Sequence, residues 1–234
     1  QTLSGTSTSA LNHLTLNNST GLTLSKNQQV NGTLTFSNGL ITTGSNILTL
    51  GCDAVTSGES NSRYVNGILA REYCGIGPKL FPIGKGGAFR TLTIHRTTGE
   101  TGNSTIQSEQ VEASIPGQLP PYTTAFTSRY WKITQPAGSQ TYTIQLDGTG
   151  FTPSGTPVIL KGNGVAENPL SSLTVTTPDY TTANGISSFS DFTLGSECLP
   201  PVITTQPTDQ TGCELNSSIP FLVDVTPIDG ESFT

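Results

Sequence analysis

Few residues of this 234-residue chain have the type and spacing that chemistry requires. Catalysis needs a nucleophile, a base and an orienting group brought together, or a cluster of metal ligands. His13 and His95 are the only histidines, and His95 follows Leu92-Thr93-Ile94, so it reads as a strand residue near a turn. No Gly-x-Ser-x-Gly elbow stands in a convincing context. Gly84-Lys85-Gly86 shares glycine and lysine with a phosphate loop, but that loop needs glycine at position 79 and Ser or Thr at position 86. Those positions hold Lys79 and Gly86. The segment reads instead as a glycine-rich turn with Lys85 pointing to water. Glu109 and Glu112 fall on opposite faces of an extended strand, a poor arrangement for the paired carboxylates of a glycosidase. Asp147, in Asp147-Gly148-Thr149-Gly150, offers one calcium ligand where a site takes several oxygens. The expectation is a non-enzymatic chain with no catalytic residue, no cofactor and no metal.

Cys52, Cys74, Cys198 and Cys213 allow three pairings. Zinc would want close Cys-x-x-Cys pairs or a nearby histidine, and neither is present. Cys52 with Cys74 and Cys198 with Cys213 is the preferred scheme, because each pair closes a short loop inside one apparent unit. Free buried thiols and a partner for Cys213 beyond Thr234 stay open. Disulfides imply an oxidising compartment, and Gln1 reads as a residue left by signal-peptide cleavage. The expected location is extracellular, at the cell surface.

The elements that must position these residues are strands. The chain holds 39 Thr and 25 Ser, about a quarter of its length, beside 26 Gly and 15 Pro. Thr and Ser compete with the helical backbone, and Gly and Pro break helical turns. Charged residues are 11% of the chain and the net charge is −6, which disfavours nucleic acid and anionic lipid as partners. No apolar run approaches the ~18 residues of a membrane-inserting span.

Three regions follow. From 1 to 67, the triplets Leu14-Thr15-Leu16, Leu22-Thr23-Leu24, Leu34-Thr35-Phe36 and Leu48-Thr49-Leu50 alternate apolar and polar faces. Strands this short cannot bury a face alone, but stacked in coils they share a core, so this part reads as short parallel β-solenoid-like repeats. A meander of hairpins is the alternative, since the triplets are unevenly spaced. From 68 to 198, longer alternating strands separated by turns such as Asn163-Gly164 and Asn184-Gly185 read as a β-sandwich. Trp131, the sole tryptophan, is expected in its core, with sugar stacking as the functional alternative. Tyr122, Tyr130, Tyr142 and Tyr180 are candidates for exposed, sugar-stacking rings. From 199 to 234, Pro200-Pro201 forms a stiff linker, and the strand patterns Val202 to Pro207 and Ile219 to Val225 begin a domain too short to close. The second of these would expose an unpaired edge, so a contact with a second copy or a downstream domain is expected there.

Leu14-Thr-Leu-Asn-Asn, Val30-Asn-Gly-Thr-Leu-Thr-Phe-Ser-Asn-Gly and Thr43-Gly-Ser-Asn-Ile-Leu-Thr-Leu-Gly together resemble the strand repeats of secreted Bacteroidetes surface proteins. Tyr64-Val-Asn-Gly-Ile-Leu-Ala-Arg, Phe81-Pro-Ile-Gly-Lys-Gly-Gly-Ala-Phe-Arg and Ser190-Asp-Phe-Thr-Leu-Gly are similar to the module beside those repeats. Val202 to Glu214 resembles the start of an immunoglobulin-like domain. The resemblance implies a large multidomain surface protein of the gliding-adhesin or type IX secretion class. The functional expectation is a non-catalytic structural or adhesive module, a stalk or fibre segment whose surface or glycan ligand the sequence does not name. A carbohydrate-binding module and the accessory region of a secreted enzyme are the alternatives.

Overall fold

The computed structural model describes residues 1–5, 9–98, 102–162, 173–176, 178–182, 185–197, 202–205 and 224–226. Strand triplets wind into coils. The first coil carries β1 (Thr2–Leu3), β2 (Ser9–Leu11) and β3 (Leu14–Asn17); the second carries β4 (Leu22–Leu24), β5 (Gln28–Val30) and β6 (Thr33–Asn38). In the third, β7 (Ile41–Leu50) spans two sides of the coil and β8 (Val55–Ser57) forms the last. Each side is a parallel ladder, with Leu22 beside Ile41 and Ile41 beside Val65, Val30 beside Leu50, and Leu14 beside Leu34. The inward rows Leu16, Leu22, Leu24, Val30, Leu34, Phe36, Ile41, Leu48 and Leu50 are buried. Each such side chain stabilises the fold by roughly 1.5–3 kcal/mol. Thr15, Thr35 and Ser57 share an outward row.

The ladder from Thr2 through Thr23 and Thr42 to Asn66 advances by 21, 19 and 24 residues. That variation accounts for the uneven triplets: the strands are fixed by the ladder, while the corners absorb extra residues. One corner requires glycine. Gly39 has φ +88°, and a Cβ there would stand 1.9 Å from the Asn18 carbonyl oxygen of the coil below.

β9 (Val65–Tyr73) pairs with β7 in parallel on one edge and with β14 (Ser104–Val111) antiparallel on the other. Between them in sequence lie β10 (Gly77–Phe81), β11 (Gly84–Lys85), β12 (Ala88–Phe89) and β13 (Leu92–Arg96). Next come β15 (Thr123–Ala125), β16 (Tyr130–Ala137), β17 (Tyr142–Asp147) and β18 (Thr156–Gly162). β19 (Leu173–Thr176), β20 (Asp179–Thr182) and β21 (Asp191–Glu197) follow, and β22 (Val202–Thr205) and β23 (Asp224–Thr226) are last. The large sheet thus runs from the parallel coils through β9, β14, β16 and β21, with β18 and β15 paired to β21. A second, antiparallel sheet has the order β10-β13-β17-β20-β19. The two sheets share one core in which Ile94, Ile144 and Leu146 join Ile106, Trp131, Ile133, Phe192 and Leu194.

The chain is all-β among the described residues, with a solenoid-like stack and further sheets. The boundary placed after residue 67 falls inside β9, which belongs to both parts. β22 and β23 form an antiparallel pair, Val202 opposite Thr226. The rest of 199–234, including most of the immunoglobulin-like resemblance, lies outside the described residues, as do Cys198 and Cys213.

Candidate functional site

The last coil is closed by a covalent link. Cys52 follows β7 and Cys74 follows β9, and their sulfurs are bonded across a Cα–Cα distance of 5.6 Å. Around this corner two cations are tied to main-chain oxygens. Arg71 is buried and donates from Nε to the Leu80 carbonyl (2.8 Å) and from Nη1 to the Ala54 carbonyl (2.6 Å). Burial lowers its pKa to about 10. Lys79 donates to the Cys52 carbonyl, and its pKa is lowered by burial first and by Arg71 second. Arg71 thus ties β10 to the residue preceding β8, and the disulfide ties the segment after β7 to the end of β9. Replacing both cysteines by serine removes a cross-link over 22 residues, and loop-closure entropy of that size stabilises by about 3 kcal/mol. The urea midpoint of the double variant falls accordingly; a midpoint unchanged from the oxidised wild type refutes this.

A second cluster is buried between the sheets. Asp147, at the end of β17, lies with Oδ2 3.4 Å from Arg129 Nη2 and 3.5 Å from Arg90 Nη1. Its Oδ1 accepts from the Thr149 amide (3.0 Å) and hydroxyl (2.6 Å). Arg129 Nη2 also donates to the carbonyls of Asp147 (3.1 Å) and Thr149 (2.5 Å), and its guanidinium lies over the rings of Phe126 and Trp131 at 4.8 and 5.7 Å. Burial, then Arg90, lowers the Arg129 pKa, and Asp147 opposes them. Asp147 is thus committed to two guanidiniums. Among the described residues, no three His, Cys, Asp or Glu side chains assemble into a metal site.

The other sequence candidates are placed as follows. Trp131 is fully buried, opposite Gln110 and Phe192. Tyr142 and Tyr180 are buried, correcting their reading as exposed rings: Tyr142 packs edge-on against Tyr73 and Phe189, and Tyr180 against Phe151. They point inward because alternate positions of β17 and β20 face the second layer. Tyr130 is half-buried, and Tyr122 is 64% exposed at φ +58°. His13 accepts at Nδ1 from the Thr33 amide (3.1 Å), and His95 stands between Pro78 and Thr143 on the second sheet. Gly86 and Gly87, at φ +62° and +81°, turn the hairpin of β11 and β12.

One surface feature was not read from the sequence. On the outward face of the large sheet, a groove of about 220 Å³ is lined by Ile68, Gln107, Ser108, Glu109, Lys132 and Thr134. Gln107 stands opposite Thr134, and Glu109 opposite Lys132, whose other neighbour is Asp191. Lys85 reaches Glu109 at 3.5 Å. The only signal for this grouping is the cross-strand register of β14 and β16, which the sequence does not disclose. Comparisons with family models, curated proteins and solved structures return no match.

Proposed function

We propose that this chain is a non-catalytic structural and adhesive module of a large extracellular surface protein, a stalk or fibre segment. The observation that carries the reading is the continuity of one sheet: a single hydrogen-bonded ladder runs from the parallel coils through β9 into the antiparallel strands. Such a ladder separates the two ends of the module by a stiff spacer, as a stalk requires. The disulfide and the buried Arg71 at the junction favour persistence in an oxidising, protease-bearing environment. The resemblance to Bacteroidetes surface proteins points the same way.

Small-angle scattering of the 234-residue chain, paired with limited proteolysis, tests this. The expected result is an elongated particle whose described core resists digestion. A compact globule that also turns over a substrate in a hydrolase panel overturns it.

A further inference from the structure

We infer that the outward groove across β9, β14 and β16 is a binding site for a neutral saccharide; the inference rests on the adhesive reading and supplies its ligand class. Four polar groups stand there as a grid set by strand geometry. Gln107 and Glu109 are two residues apart along β14, ~6.7 Å, and face Thr134 and Lys132 across ~4.8 Å. An amide and a hydroxyl each donate and accept, a carboxylate accepts and an ammonium donates. That alternation complements a pyranose, whose ring carries hydroxyls that are each donor and acceptor. Ile68 supplies an apolar patch for the C–H face of the ring, and the half-buried Tyr130 precedes Lys132 by two residues on the same face. Concavity with a few convergent polar groups is how small polar ligands are held.

Two observations select the ligand class. The charges are balanced: Lys132 lies between Glu109 and Asp191, and Lys85 pairs with Glu109. A polyanion therefore meets no excess of positive charge, and a polycation no excess of negative. Both edges of β14 are already paired, to β9 and to β16, so an extended peptide has no free main-chain edge to add to at the centre of the groove. A neutral ligand recognised through side chains fits what remains.

The test is a printed array of neutral gluco-, manno- and galacto-tetrasaccharides beside polygalacturonate and heparin, probed with wild type, Gln107→Ala and Glu109→Gln. Both variants alter outward, part-exposed side chains, and the surface ion pair lost in Glu109→Gln is worth at most about 1 kcal/mol, so an unchanged thermal midpoint shows that they fold. The expected result is retention of at least one neutral tetrasaccharide, weakened about tenfold or more in each variant. An array blank for neutral sugars at millimolar ligand, preference for the polyanions, or retention indifferent to both substitutions overturns the site. A blank array with an elongated particle in scattering removes the site and leaves the adhesive reading intact; a compact catalytic globule removes that reading.

Discussion

Asp147→Ala destabilises the fold by about 3–5 kcal/mol, the range for removing one partner of a buried ion pair. The carboxylate is the only acidic group in ion-pair contact with Arg129 among the described residues, and the Arg129 and Asp147 side chains are 2% and 5% exposed. Taking it away leaves a guanidinium out of water with two carbonyls as acceptors and no carboxylate in contact among the described residues. Arg90, at 19% side-chain exposure, is partly hydrated and contributes less of the loss. The alanine change also frees the Thr149 amide and hydroxyl. Asp147→Asn keeps the shape and one acceptor, so it falls between wild type and alanine. Urea unfolding followed by the fluorescence of the single tryptophan measures both. A loss below 1 kcal/mol for alanine refutes the account and shifts the weight of the cluster to Arg129 stacking on Phe126 and Trp131.

Trp131→Ala has an effect of similar size, about 3–5 kcal/mol, for a different reason. The ring is fully buried between Gln110 and Phe192 on the neighbouring strands and under the Arg129 guanidinium. Truncation opens a cavity where the large sheet meets the second sheet. The indole Nε1–H has no acceptor among the described residues. Trp131→Phe therefore loses ring volume but no hydrogen bond, and its loss is less than half that of alanine. Calorimetry or far-ultraviolet circular dichroism reads both variants, since the fluorescent reporter is removed. Equal losses for phenylalanine and alanine place the contribution of Trp131 in its N–H instead.

The sequence made the solenoid-like part legible and the junction illegible, for physical reasons. Leu14, Leu22, Leu34 and Leu48 alternate with threonine within short strands, and period-2 patterning survives any corner length. β9 has no such signature. Its segment Val65–Tyr73 buries Leu69, Ala70 and Arg71 in succession, because both faces of the strand are covered at the junction. A buried arginine there is intelligible only once the carbonyls of Ala54 and Leu80 are seen to receive it. The buried role of Asp147 was illegible for the same reason. Asp-Gly-Thr-Gly is a turn by local chemistry, and its burial depends on arginines 18 and 57 residues away. The Cys52–Cys74 pairing was favoured by its short loop, and the bond is present. The groove around Glu109 could not be anticipated, since it takes a register to set Glu109 beside Lys132.

The double-edged pairing of β9 makes solenoid length an independent variable. From β13 onward the described strands join the stack by pairing through β9 alone: β14 pairs with its far edge, and none of them pairs with β1–β8, while Lys79 of β10 and Phe89 of β12 reach only Cys52 and Asn61, which follow β7. Insertion or loss of one whole coil between β3 and β7 would present β9 with the same neighbour and leave every later register unchanged. A fractional coil would misalign all the inward rows at once. Reach can therefore change in quantised steps of about one strand spacing, ~4.8 Å, while the antiparallel head keeps its geometry.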